Sequence, residues 1–169
     1  LYKKQKRKVK HKPKPYKRAA YPGQKLQIDV KFVPIHCSVD GKKKYVFIAV
    51  DECSRWTFRQ MYEDKSSYSA YLFLQALIKK FPLPIREIQT DNGTEFTNRL
   101  LLTKSTHLSL FETALQAYDI KYHRIQIATP RHNGKVERQN GLDDTRFYSR
   151  LKMYSLEDEQ KQLEKYNKK

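Results

Sequence analysis

Three strand-like runs follow one another within residues 26–62 with no helical pattern between them, and a chain of that kind folds most readily as an antiparallel meander. Leu26, Ile28, Val30 and Phe32 alternate with polar neighbours at the period of a half-buried strand. Asp29 stands inside that alternation. Asp40-Gly41 is a hairpin signal, and Tyr45 to Val50 is apolar throughout, the composition of a strand covered on both faces. A third strand is expected around Trp56 to Tyr62.

After the meander the period changes. Ser66 or Ser67 caps a helix whose apolar residues Ala70, Phe73, Leu74, Leu77, Ile78 and Phe81 recur at three- and four-residue steps, until Pro82 and Pro84 end it. Ile85 to Thr90 reads as a short strand closing on Asp91-Asn92-Gly93. Ser109-x-x-Glu112 has the spacing of a capping box and opens a second helix through Tyr118. Lys121 to Ile127 is expected as a fifth strand, Lys135 to Met153 as one long helix, and Ser155-x-x-Asp158 opens a last helix toward Asn167. This order implies an α/β fold, a mixed five-stranded sheet with helices on both faces.

Charge separates one end of the chain from the rest. The 169 residues carry a net +17, and residues 1–20 hold ten Lys or Arg with no acid, interrupted by Pro13 and Pro15. Like charges at that density repel, so residues 1–20 are expected to form an extended basic arm or linker suited to a polyanion. Residues 21–154 form the expected folded core and 155–169 a terminal helix. Hydrophobic residues at 38% and aromatics at 12% suffice for a core, and no apolar run approaches the ~20 residues of a membrane-spanning helix. Cys37 and Cys53 show no zinc-ligand spacing and, with the hairpin turning near Asp40, Cys37 is expected near Lys44 and far from Cys53, as reduced thiols in a cytoplasmic setting.

Among 18 acids, three have unusual surroundings. Asp29 lies mid-strand, where a carboxylate needs a cation or a hydrogen-bond donor. Asp91 lies at the carboxyl end of a strand, where α/β sheets place ligands. Glu137 lies in the first turn of a helix after a loop containing Pro130 and Gly134. Brought together, such carboxylates would repel unless Mg²⁺ or Mn²⁺ lay between them, the arrangement of two-metal phosphoryl transfer. Spacing alone leaves two other readings open: Asp29 as a structural acid, and Glu137 as an ordinary helix-start acid.

The segments Gln27-Ile28-Asp29-Val30-Lys31-Phe32-Val33-Pro34, Thr90-Asp91-Asn92-Gly93-Thr94-Glu95-Phe96 and Pro130 through Asn140 resemble the catalytic core of the retroviral integrase and bacterial insertion-sequence transposase superfamily, the bacterial branch most nearly. The resemblance covers roughly residues 20–167. It implies an RNase H-like fold and a DDE triad of Asp29, Asp91 and Glu137 holding two Mg²⁺ or Mn²⁺ ions. It further implies cleavage of DNA element ends and their transfer to target DNA, a homodimer or larger assembly, and a cytoplasmic, nucleoid-associated location in bacteria. Two departures stand out. Asp91 and Glu137 are separated by 45 residues, more than is usual for the family, the excess falling at 97–108, and no end-recognition domain precedes the core.

Around the acids, Arg131, Lys135 and Arg138 suit phosphate contacts, and His132 and Asn140 complete the expected DNA-binding set. Glu95 is the rival for the third acid. Asp51 reads as a turn-ordering acid through Ser54 or Arg55. Trp56, Tyr62 and the tyrosines of the first helix read as packing residues. Two other functions compete with transposition: an RNase H-like nuclease or resolvase that hydrolyses without joining, and a non-catalytic DNA-binding module.

Overall fold

β1 (Leu26–Phe32), β2 (Tyr45–Asp51) and β3 (Thr57–Tyr62) form the expected meander in a computed structural model that describes residues 18–98, 107–125 and 134–168. β4 (Glu87–Thr90) pairs parallel to β1 and β5 (Lys121–Arg124) parallel to β4, so the mixed sheet is ordered β3-β2-β1-β4-β5. β1 is therefore central, paired along its length with β2 and at Leu26 and Gln27 with β4, and both its faces are covered.

The period of two in β1 sorts its side chains. Leu26 and Ile28 join Phe47, Ala49 and Phe58 beneath α1 (Ser67–Lys80) and α2 (Leu110–Ala117), in the larger of the apolar clusters. Gln27, Asp29 and Lys31 point to the opposite face, which α3 (Gly134–Arg146) and α4 (Leu156–Asn167) cover. α1 starts where Ser66 accepts from the Ser69 N–H, and its buried Ala70, Phe73, Leu74 and Leu77 lie on one face. Each buried leucine or phenylalanine there contributes roughly 1.5–3 kcal/mol by leaving water. The capping box of α2 is complete, Ser109 and Glu112 each satisfying the other's N–H.

Both helices of the second face are tied down by buried charge. Arg59 of β3 donates to both carboxylate oxygens of Asp143 in α3, at 2.6 and 2.9 Å, and Tyr166 of α4 donates to the same carboxylate at 3.0 Å. Lys44 stands 2.8 Å from Glu159 of α4, a pair with almost no exposure on either side. Buried pairs of this kind add little net stability, but breaking one is costly.

The structure departs from the expectations in detail. The long helix ends at Arg146, seven residues early, because Tyr148 enters a 3-10 turn and is fully buried, and Met153 then bridges to Ser38. β1 ends at Phe32 and β2 begins opposite it at Tyr45, so the Asp40-Gly41 signal sits in a long connection rather than a tight hairpin. Cys37 accordingly lies in a 3-10 turn, donating to the Tyr148 carbonyl, and does not pair near Lys44. It and Cys53 are both free thiols. Trp56 and Tyr62 pack against the core, whereas Tyr68 is exposed. β4 begins at Glu87 rather than Ile85, and β5 is described as far as Arg124. Residues 1–17 of the arm and most of the 97–108 segment lie outside the described residues; Asn98 donates to the His107 carbonyl where that segment's described ends meet. No helix among the described residues is long and apolar enough to cross a membrane.

Candidate active site

Strand and helix run in step where β1 meets α3. Two strand residues advance about 6.6–6.8 Å and four helical residues about 6 Å, so side chains spaced two apart on one meet side chains spaced four apart on the other. Gln27 Oε1 accepts from the N–H groups of Lys135 and Val136 at 3.2 and 3.3 Å. Asn140 donates its amide to Asp29 Oδ2 at 2.8 Å. Lys31 pairs with Asp144. Val136, fully buried against Ile48 and Val50 of β2, packs α3 onto the same face of the sheet.

Asp29 is thereby held half-buried with a donor on one oxygen. Its carboxyl is pushed up to about 6, first by burial and then by the charge of Asp91, with Glu137 adding a smaller push; the Val30 backbone and the Asn140 amide act the other way. Asp91, at the end of β4, and Glu137, in the first turn of α3, therefore both lie within electrostatic reach of Asp29 on β1. Asp91 is exposed in a turn of its own, its Oδ1 accepting from the Gly93 N–H at 2.9 Å. Asn92 ties that turn to the Ile125 carbonyl at 2.7 Å. A Cβ at Gly93 would stand 2.6 Å from the Glu95 carboxylate, so a side chain there would require the Glu95 carboxylate to move. Glu95 is buried beneath that turn, facing Lys65 at 3.9 Å, and does not figure in the charge felt by Asp29.

Asp29, Asp91, Glu137 and the Asn140 side-chain oxygen offer the hard oxygen donors that Mg²⁺ and Mn²⁺ take. That oxygen is buried and meets no donor. Among the described residues no three His, Cys, Asp or Glu stand close enough to hold one ion as placed, so the acids approach without forming a closed cage. The donor chemistry fits a divalent cation, and closing the site needs a shift of the exposed Asp91 or Glu137 side chain.

Of the expected DNA contacts, Lys135 and Arg138 lie on α3 and Asn140 is engaged with Asp29, whereas Arg131 and His132 lie outside the described residues. Asp51 is a turn-ordering acid, accepting from the Ser54 N–H and hydroxyl and from the Gly23 N–H. Gln27 does not stand out in the sequence. It is one of three polar residues, with Asp29 and Lys31, on one face of an alternating strand, and its partner is two backbone N–H groups more than a hundred residues away.

Comparison with known proteins gives this geometry a family. Residues 19–130 match the family described as the integrase core domain, a match that ends before α3 and so before Glu137. A putative integrase of Spiroplasma virus SpV1-C74 is 34% identical over 123 residues, covering 67% of this chain and 33% of that protein. A retrovirus-related Pol polyprotein from the Nicotiana tabacum transposon TNT 1-94 is 25% identical over 125 residues, 73% of this chain and 9% of its own length. The chain thus spans about a third or less of these curated relatives. Among solved structures, the simian T-cell lymphotropic virus intasome in complex with the PP2A regulatory subunit B56 gamma aligns with TM-score 0.62 at 21% identity, over 79% of this chain and 42% of that one. The HTLV-2 integrase catalytic core domain in complex with magnesium, in its dimeric form, aligns with TM-score 0.56 at 23% identity, over 76% and 72%. These structures share the RNase H-like mixed sheet. By the match over residues 19–130, the chain belongs to the integrase core domain family.

Proposed function

We propose that this chain is the catalytic core of a DNA transposase or integrase that cleaves element ends and joins them to target DNA by in-line phosphoryl transfer, with Asp29, Asp91 and Glu137 as its DDE triad. The observation that carries the reading is the raised Asp29 carboxyl, which burial and the charges of Asp91 and Glu137 produce together. A stray surface acid would not sense two others from separate elements.

Asp29, Asp91 and Glu137 would hold Mg²⁺ or Mn²⁺, two ions in the active complex; when bound, these would supply activation of the attacking oxygen and charge stabilisation at the leaving oxygen. Asn140 orients the Asp29 carboxylate and favours its ionised form, as a donor to an anion does. Gln27 sets the start of the helix that carries Glu137. Lys135 and Arg138, with Arg131, His132 and Asn140 of the same segment, suit contacts to the DNA backbone. The two ends of an element must be joined together, which calls for a homodimer or larger assembly; the HTLV-2 core solved with magnesium is described in dimeric and trimeric forms. DNA as substrate would place the chain at the bacterial nucleoid.

The first test is calorimetric titration with Mn²⁺, comparing the wild-type chain with Asp91→Asn. Heat of binding that vanishes in the variant supports the site. The same preparations, with Glu137→Gln, are then assayed on labelled duplex for cleavage and joining in Mg²⁺. Loss of both products with duplex binding in EDTA retained supports the triad. Hydrolysis without joining gives the nuclease reading instead, and duplex binding without any metal-dependent product gives the DNA-binding module.

A further inference from the structure

α3 carries two stripes of opposite character. At about 100° per residue, Glu137, Asn140 and Asp144 lie along the flank that meets Asp29 and Lys31, while Lys135, Arg138 and Leu142 lie along the other, roughly half a turn away. This second stripe forms one wall of a groove of about 640 Å³, which Arg18 and Arg55 enter from outside α3 and which Val50 and Leu142 line with apolar surface.

Four cations therefore face one cleft. Among the described residues Arg18, Arg55, Lys135 and Arg138 reach no carboxylate within 4 Å, as is common for surface cations, but these four share one cleft. Glu52 is the acid closest in charge to Lys135, and its carboxylate is buried and already engaged by Gln27 and Lys25. Arg55 adds a second sign. It occupies a left-handed backbone conformation, φ 68°, where glycine would be unstrained.

We propose that this groove binds a second stretch of DNA phosphate backbone, on the flank of α3 opposite the one that faces Asp29, without metal and without reading sequence. The identity of the polyanion as DNA rests on the function proposed above; the groove itself does not. Reading adenine or cytosine needs free amides or carboxylates aimed at base edges. The groove's two glutamines are committed, Gln27 to the N–H groups of α3 and to Glu52, Gln139 to Asp143. Guanidinium and ammonium groups remain, and these suit phosphates, while the partly exposed Leu142 suits a sugar face between them. Arg18 also ends the basic run of residues 1–20, so in sequence the arm leads directly into the groove.

The test is anisotropy of a fluorescent blunt duplex in EDTA across a salt series, with the whole chain. For Arg55→Gln/Arg138→Gln the slope of log K against log salt is expected to shrink by about 1.8, at roughly 0.9 for each phosphate no longer neutralised. Arg55→Lys/Arg138→Lys is expected to keep the wild-type slope, which separates charge from misfolding, and a duplex of unrelated sequence should show the same reduction. An unchanged slope in the glutamine pair overturns the groove, as does a reduction confined to one sequence or a lysine pair as weak as the glutamine pair. Mn²⁺-dependent cleavage by the wild-type chain is measured in parallel. Cleavage with an unchanged slope in the glutamine pair removes the groove alone, and a reduced slope without wild-type cleavage removes the catalytic reading while the groove stands.

Discussion

Asn140 donates its side-chain amide to Asp29 Oδ2 at 2.8 Å, joining α3 to the central strand across 111 positions of sequence. One hydrogen bond thus connects the two elements that bring Asp29 and Glu137 into electrostatic range. A residue that orients a metal-ligating carboxylate typically governs about 10–100-fold in metal affinity or activity. Asn140→Ala is accordingly expected to raise the Mg²⁺ concentration needed for half-maximal DNA cleavage by about tenfold or more, while Asn140→Asp, which removes the donor and adds charge, does worse. A variant with the wild-type Mg²⁺ dependence would show that Asn140 serves stability only.

The raised Asp29 carboxyl predicts a pH-dependent cost to the metal-free fold. Below about pH 3.8, its ordinary value, folded and unfolded chains both hold the proton and Asp29 contributes nothing. As pH rises the unfolded chain ionises first, so stability falls until about pH 6, where the folded carboxyl also ionises and the penalty is complete. In EDTA, Asp29→Asn should be more stable than wild type at about pH 7.5 by about 1–3 kcal/mol, and the gap should narrow toward about pH 4.5. Urea melts at the two pH values measure it, and a gap that is flat with pH would rule the titration out as its cause.

Gln27 acts as a cap supplied from another element. Its Oε1 takes two N–H groups that the first turn of a helix leaves without partners, Lys135 and Val136. Gln27→Leu should cost about 1–2 kcal/mol, the usual worth of a cap. It should also speed hydrogen exchange at the amides of the first turn of α3 while those of α1 stay protected. Uniform acceleration across both helices would mean global destabilisation rather than loss of a cap.

Asp143 carries a larger stability effect. Its carboxylate receives two bonds from the buried Arg59, one from Tyr166 and one from Gln139. Asp143→Ala leaves the guanidinium buried without a counter-charge, for which about 3–5 kcal/mol is expected. Replacing both partners, as Arg59→Met/Asp143→Leu, should recover much of that stability in chemical melts. A double variant as unstable as the single one would show that the network carries more than its charges.

Much of this protein was legible residue by residue. The N-caps at Ser66, Ser109 and Ser155, the alternation of β1 and the three- and four-residue steps of α1 all act within one turn or one strand, so the sequence by itself determined the elements, their order and the two-sided sheet. Asp29 and Asp91 could be marked as unusual because their immediate neighbours already make them so. What the chain could not show locally is where α3 stops and what it touches. Arg146 ends the helix because the full burial of Tyr148 and the bridge from Met153 to Ser38 outweigh continued helical periodicity, and both depend on residues more than a hundred positions away. The pairings of Gln27 with Lys135 and Val136, and of Asn140 with Asp29, arise only when a strand and a helix of nearly equal repeat lie side by side. Tertiary structure decided those contacts because no local pattern encodes which face of one element will meet which face of another.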